Sequence, residues 1–151
     1  EQLNNYCANK VLSLGFLSGY VFTPRSPSCG LGSTPIKSIY GDTLSLNSGV
    51  FAQALLNKYP SLPVIEEPNL SNLSAMLCFQ LQVLSYYLMH HVNTLKRNAY
   101  LIKEKTTVGA VLQSEASIEH KMSAVNELFR KMNTQQLHEQ LMMLRTVLNE
   151  T

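Results

Sequence analysis

The strongest structural signal in the sequence is the segment from Asn69 to Val92, NLSNLSAMLCFQLQVLSYYLMHHV. Within it, apolar residues recur at the intervals of three and four that mark one helix face, at Leu70, Leu73, Leu77, Leu81, Leu84, Leu88 and Val92. A second set widens this stripe around most of the helix: Met76, Phe79, Val83, Tyr86, Tyr87 and Met89. A helix that is apolar nearly all round is contacted on several sides. We therefore predict an all-α fold, a helical bundle in which this segment is the central helix.

Two more apolar stripes with heptad-like spacing follow in the C-terminal third of the chain. The first alternates steps of four and three and has one polar member; it comprises Val111, Glu115, Ile118, Met122, Val125, Phe129 and Met132. The second has steps of four, three and four and comprises Leu137, Leu141, Leu144 and Leu148. We predict a heptad-patterned C-terminal arm over residues 108–149. Because Asn133 favours a turn, this arm is either one long helix or a helical hairpin.

Proline and glycine divide the rest of the sequence into segments of a single predicted domain, residues 1–151. The predicted segments are a helix over 1–20, an irregular loop over 21–41, a helix over 43–59, a Pro-rich linker over 60–68, a long helix over 69–105 and the arm over 108–149. Residues 19–23 and 36–40 have the composition of short strands. Two isolated runs of that length do not make a stable sheet, so we predict helices and loops only.

Composition excludes several classes of protein. The chain has 151 residues, 45% of them hydrophobic, and 12 basic against 10 acidic side chains give a formal charge of +2. That charge is too small to indicate a nucleic-acid or membrane partner. The three cysteines are odd in number and no C-x-x-C occurs, which argues against a disulfide framework and a cysteine zinc site. We expect free thiols in an intracellular compartment, cytoplasmic or nuclear. The chain starts at Glu1 without a methionine, so we also expect a fragment or a processed product.

Three N-x-[ST] sequons begin at Asn69, Asn72 and Asn149. The first two lie where the central helix should start, and asparagine is a preferred residue at such a start. We interpret the sequons as accidental; the alternative is a glycosylated ectodomain. The charge-free span from Pro68 to Leu95 is long enough to cross a bilayer, but polar residues are scattered along it. We therefore predict no membrane span.

Catalytic and metal-binding patterns are weak. His90 and His91 are adjacent, so on a helix their side chains diverge by roughly 100° and do not easily share a metal ion. The glycines near Lys37 lack the spacing of a phosphate-binding loop, and no G-x-S-x-G is present. Glu66 and Glu67 are neighbours in an extended segment rather than a facing acid and base. We predict no enzyme, no cofactor and no metal site.

The apolar helical surface exceeds what a short domain readily buries. We therefore predict a non-catalytic protein–protein interaction or assembly module, a helical subunit or fragment of a larger complex that binds another subunit or itself. The partner-binding residues predicted from the two heptad-like stripes are Ile118, Met122, Val125, Phe129, Leu137, Leu141, Leu144 and Leu148.

The alternative function is a nucleic-acid-binding helical domain. Its candidate surface is a basic cluster near residues 96–105, with an aromatic residue between the charges: Lys96, Arg97, Tyr100, Lys103 and Lys105. Glu104 lies within this cluster and weakens it. A solvated helix surface explains the same charges without a ligand.

Overall fold

The computed structural model describes residues 2–149, apart from the side chains of Val92, Thr94, Leu95 and Lys105. Contacts between Cα atoms group the chain into two compact units, Glu1–Ser71 and Asn72–Thr151, which we call the N-terminal and C-terminal units.

The N-terminal unit combines two helices with four short strands. Its elements are α1 (Gln2–Leu12), β1 (Tyr20–Phe22), β2 (Thr34–Lys37), β3 (Thr43–Asn47), α2 (Val50–Lys58), β4 (Val64–Glu66) and a 3-10 helix (Glu67–Ser71). Strands β1 and β4 pair in parallel, whereas β2 and β3 form an antiparallel hairpin. Helices α1 and α2 pack against each other.

The all-α class predicted from the sequence is wrong, because the chain has mixed α/β content with a helical majority. The strand-like run at Tyr20 has a partner after all, since Tyr20 is paired with Val64 inside the predicted Pro-rich linker. Proline disfavours the helical conformation of the residue before it, so Pro63 keeps Leu62 extended immediately before β4. An extended backbone with free donors and acceptors then completes a sheet with β1.

The helix predicted over residues 43–59 is correct only in its second half. Thr43–Asn47 is strand β3, and α2 begins at Val50. The loop between β1 and β2 supplies carbonyl acceptors for the start of α2. Gly49 N–H donates to the Gly30 carbonyl at 2.7 Å, and Phe51 N–H donates to the Ser28 carbonyl at 2.9 Å. Since the first N–H groups of a helix have no partner within it, this contact fixes where α2 begins. The helix predicted over residues 1–20 likewise ends early, at Leu12.

All the secondary-structure elements of the C-terminal unit are helices among its described residues. Its elements are α3 (Leu73–His90), α4 (Val92–Arg97), α5 (Ala99–Lys105), α6 (Gly109–Leu112), α7 (Ile118–Arg130) and α8 (Thr134–Asn149). Helix α3 packs against both α7 and α8, and less extensively against α6. Side chains of α3 at 0–3% exposure form the centre of this core: Leu77, Leu81 and Leu88.

The single helix predicted over residues 69–105 is wrong, because three helices occupy that range. Helix α3 ends where two histidines turn back on it: Nδ1 of His90 lies 2.9 Å from the Tyr86 carbonyl, and Nδ1 of His91 lies 2.8 Å from the Tyr87 carbonyl. The Tyr87 carbonyl also accepts from the His91 N–H at 3.0 Å, so the His91 ring adds a second contact to a carbonyl that already has a backbone donor.

The C-terminal arm predicted over residues 108–149 comprises α6, α7 and α8 rather than one long helix, and a turn joins α7 to α8. At the turn, Asn133 Oδ1 accepts from Gln136 N–H and Gln136 Oε1 accepts from Asn133 N–H, both at 2.9 Å. This reciprocal pair is a capping box, which satisfies donors at the start of α8. Helices α7 and α8 both pack against α3 with their apolar stripes.

Candidate functional site

Most of the predicted partner-binding residues lie in the interior of the C-terminal unit. Six of the eight have exposures of 0–5%: Met122, Val125, Phe129, Leu137, Leu141 and Leu144. Ile118 and Leu148, towards the outer ends of the two stripes, are half-buried. The chain's own α3 covers these stripes, so their apolar character does not require a partner.

A different apolar surface remains on α3. Phe79 and Val83 lie two positions after the core residues Leu77 and Leu81, which is just over half a helical turn. They therefore lie on the side of α3 away from that core stripe, and they are only half-buried. Together with Leu84 they line a groove of about 390 Å³, which we call the α3 groove.

The polar part of the α3 groove consists of two side chains. Gln80 of α3 and Arg145 of α8 complete its lining, and both are exposed. Arg145 follows the core residue Leu144, so α8 has an apolar side towards α3 and a cation beside the groove. Guanidinium binds carboxylates through two parallel hydrogen bonds, which makes it a specific as well as a charged contact.

The lining of the α3 groove contains no side chain that acts as a nucleophile or as a general base at neutral pH. Apolar side chains and one guanidinium are suited to binding an apolar segment with an acidic group. Nearby, burial raises the pKa of the Cys78 thiol, and Arg130 partly opposes this effect. That thiol is consequently protonated at neutral pH and less reactive than an exposed one.

The basic cluster of the alternative hypothesis is split between two helices. Lys96 and Arg97 are in α4, whereas Tyr100 and Lys103 are in α5, after a break at Asn98. The three cations are exposed, and Tyr100 is 75% exposed. The side chain of Lys105 lies outside the described residues.

The weak catalytic candidates have structural roles. His91 stacks on Tyr87 with ring centroids 3.8 Å apart, close to the end of α3. Glu66 Oε1 accepts from the Leu31 N–H at 2.8 Å and from the Ser33 hydroxyl. These hydrogen bonds hold the loop predicted over residues 21–41 against β4. Among the residues that the structure describes, no three His, Cys, Asp or Glu side chains are grouped to hold a metal ion.

The sequons fall at or near helix termini. Asn72 is the N-cap of α3 and accepts from the Ala75 N–H at 3.0 Å, whereas Asn69 lies in the 3-10 helix. The final two residues of the sequon at Asn149 lie outside the described residues.

Comparisons with protein-family models, curated proteins and solved structures gave no match. Within residues 2–149, none of the helices combines the length and the apolar character needed to cross a bilayer.

Proposed function

We propose that this chain is a non-catalytic protein–protein interaction module, a helical subunit of a larger assembly. The observation that carries the proposal is the α3 groove, where Phe79, Val83 and Leu84 are half-buried beside the exposed Arg145. Apolar side chains on a helix that its neighbours hold in place form a preorganised surface, which lowers the entropy cost of binding.

The occupant that fits this groove is an amphipathic helix with an acidic residue. Phe79 and Val83 are four positions apart, so they present one continuous ridge along α3. A partner helix binds such a surface through apolar anchors spaced three and four apart. An Asp or Glu beside those anchors pairs with Arg145.

We favour a different protein over a second copy of this chain. The apolar stripes of α7 and α8 are already buried on α3. Helix α1 exposes Leu3 and Tyr6, but its sequence, QLNNYCANKVL, contains Lys10 and no acidic residue to pair with Arg145. Self-association in which α1 occupies the groove therefore lacks a carboxylate to pair with Arg145.

A displayed library of helical peptides tests the proposal, with the full chain as the target. We expect selection of peptides with apolar anchors and an adjacent Asp or Glu. Val83→Asp places a charge in the apolar floor, and we expect it to weaken the selected peptides about tenfold or more. We expect Arg145→Glu, an exposed change that should not affect folding, to reverse the preference towards Lys and Arg.

Lys103→Glu is the matched control for Arg145→Glu, because it makes the same charge change at an exposed position outside the groove. Its peptide affinities should equal those of the original chain. Equal affinities for all the variants, or selection of peptides without an acidic residue, would contradict the proposed site. Concentration-dependent dimerisation abolished by Val83→Asp would replace the hetero-partner with a second copy.

The proposal assigns the chain no catalytic residue, cofactor or metal. It places the chain inside the cell, in the cytoplasm or nucleus. The support for that location is the three unpaired thiols, Cys7, Cys29 and Cys78, since secreted domains usually pair their cysteines.

Nucleic-acid binding is the second candidate, and the exposed Tyr100 is the observation in its favour. Tyr100 and Lys103 are three positions apart on α5, so an aromatic face and a cation lie side by side. This function predicts binding to single-stranded RNA that weakens steeply with salt and is reduced by Arg97→Glu and Lys103→Glu. A filter-binding titration that shows no affinity at low salt would dismiss it.

A further inference from the structure

The apolar stripe of α1 is only partly buried within the N-terminal unit. Cys7 and Val11 are 3% exposed, whereas Leu3 and Tyr6 on the neighbouring turns are 50% and 66% exposed. Leu3, Tyr6, Cys7 and Lys10 are spaced three and four apart, so they share one side of α1, and Leu14 follows in the turn after the helix. That side forms one wall of a pocket.

The pocket, which we call the α1 pocket, has a volume of about 410 Å³. Its opposite wall is made of Tyr20 from β1, Ser28 and Cys29 from the following loop, and Phe51 from α2. Ligand pockets commonly have volumes of about 300–1,000 Å³ and mostly apolar walls with a few polar groups. The α1 pocket meets both conditions.

Lys10 is the only charged side chain among the lining residues of the α1 pocket. It is exposed and lies one turn after Tyr6 on α1, so its ammonium group can reach the pocket mouth. A ligand with one negative charge therefore complements this pocket, whereas a cationic ligand is repelled.

Tyr20 adds a neutral hydrogen-bond donor to the same pocket. Burial raises the pKa of the Tyr20 hydroxyl, and the nearby Cys29 raises it further. The hydroxyl therefore stays protonated at neutral pH and donates to an anion instead of repelling it.

We propose that the α1 pocket binds a small amphiphile with an aliphatic chain and a single carboxylate. The chain lies along Leu3, Leu14 and Phe51, and the carboxylate pairs with the ammonium of Lys10. This site lies wholly in the N-terminal unit and does not depend on the α3 groove.

Calorimetric titration of the full chain with octanoate tests the charge requirement. We expect saturable binding below the concentration at which octanoate forms micelles. Lys10→Gln removes the charge at an exposed position and should weaken octanoate about two- to fivefold, the usual effect of losing an exposed ion pair. Lys58→Gln, the same change at an exposed position on α2 outside the pocket, should leave octanoate binding unchanged.

Neutral 1-octanol distinguishes the contribution of the charged head group to the affinity from that of the aliphatic chain. It should bind the original chain more weakly than octanoate, and Lys10→Gln should not alter its affinity. Absence of saturable octanoate binding would overturn the proposal. Equal octanoate affinities for the original chain and Lys10→Gln would overturn it as well.

The cysteines give an independent readout of where octanoate binds. Cys29 lines the α1 pocket and is half-buried, while the half-buried Cys78 lies in the other unit. We expect octanoate to slow alkylation of Cys29 by iodoacetamide and to leave Cys78 unaffected, as followed by peptide mass spectrometry. Equal protection of both thiols, or of neither, would place octanoate outside the pocket and refute the assignment.

Discussion

Phe129→Ala is expected to lower the free energy of unfolding by about 3–5 kcal/mol, the usual cost of removing a buried aromatic ring. Phe129 is 1% exposed and lies on the side of α7 that packs against α3. Its removal leaves a cavity that the surrounding helices fill only in part. Urea denaturation followed by far-ultraviolet circular dichroism, at a concentration where the chain is monomeric, measures the loss.

Met143→Ala is the control, because Met143 is 39% exposed on α8 and is not part of that core. We expect a change within about 0.5 kcal/mol, as for most surface substitutions. If Phe129→Ala proved equally mild in the monomer and instead abolished association, then the α7 stripe would be a docking surface, as its spacing predicts.

Gly49→Ala is expected to destabilise the N-terminal unit by about 3 kcal/mol, at the upper end of the cost of overpacking. A Cβ at this position would lie 2.3 Å from the carbonyl carbon of Ser28 and 2.7 Å from the nitrogen of Cys29. These are backbone atoms, and the Ser28 carbonyl also accepts from Phe51 N–H at the start of α2. The loop therefore cannot move away without breaking the helix cap.

Backbone conformation does not contribute to this effect, since Gly49 has φ −64° and ψ 160°, which any residue adopts. Gly15→Ala is the matched control: its Cβ would lie 3.4 Å from the Tyr59 hydroxyl, an ordinary contact, and its effect should stay within about 0.5 kcal/mol. Amide NMR signals of β1 and β4 report the unfolding of this unit. Equal stability of the two variants would show that the loop does not pack closely on α2.

Helices are predictable here where the periodicity is strong and local. The leucines of residues 73–90 predict α3, and the stripes of α7 and α8 follow the heptad-like spacing. Helix ends are less predictable, because they depend on side chains that turn back on the backbone. His90 and His91 look like helix residues in the sequence, yet α3 ends at His90 and both rings lie against carbonyls of the preceding turn.

Strands are harder to predict because their partners are distant in sequence. Tyr20–Phe22 pairs with Val64–Glu66, so neither run shows by itself that a sheet forms. Thr43–Asn47, by contrast, pairs with the nearby Thr34–Lys37 in a hairpin rather than continuing into α2. Pairing between distant segments leaves little trace in local spacing.

The candidate groove was harder to predict than the core for a related reason. An apolar stripe indicates that a helix face is covered. It does not indicate whether a partner or another part of the same chain covers that face. Phe79 and Val83 were predicted only to widen the stripe of the central helix. Arg145 has no local signal, because its importance depends on how α8 packs beside α3.

Hydrogen exchange of the backbone amides in α7 and α8, measured at a series of protein concentrations, most directly tests whether the C-terminal unit buries its own heptad-like stripes. We expect the amides around Val125 and Leu141 to be strongly protected at the lowest concentration, with rates that do not change on dilution. Rapid exchange in dilute solution, with protection that appears only as concentration rises, would show that another molecule covers these stripes. The assignment of the α3 groove as the docking surface would then be wrong.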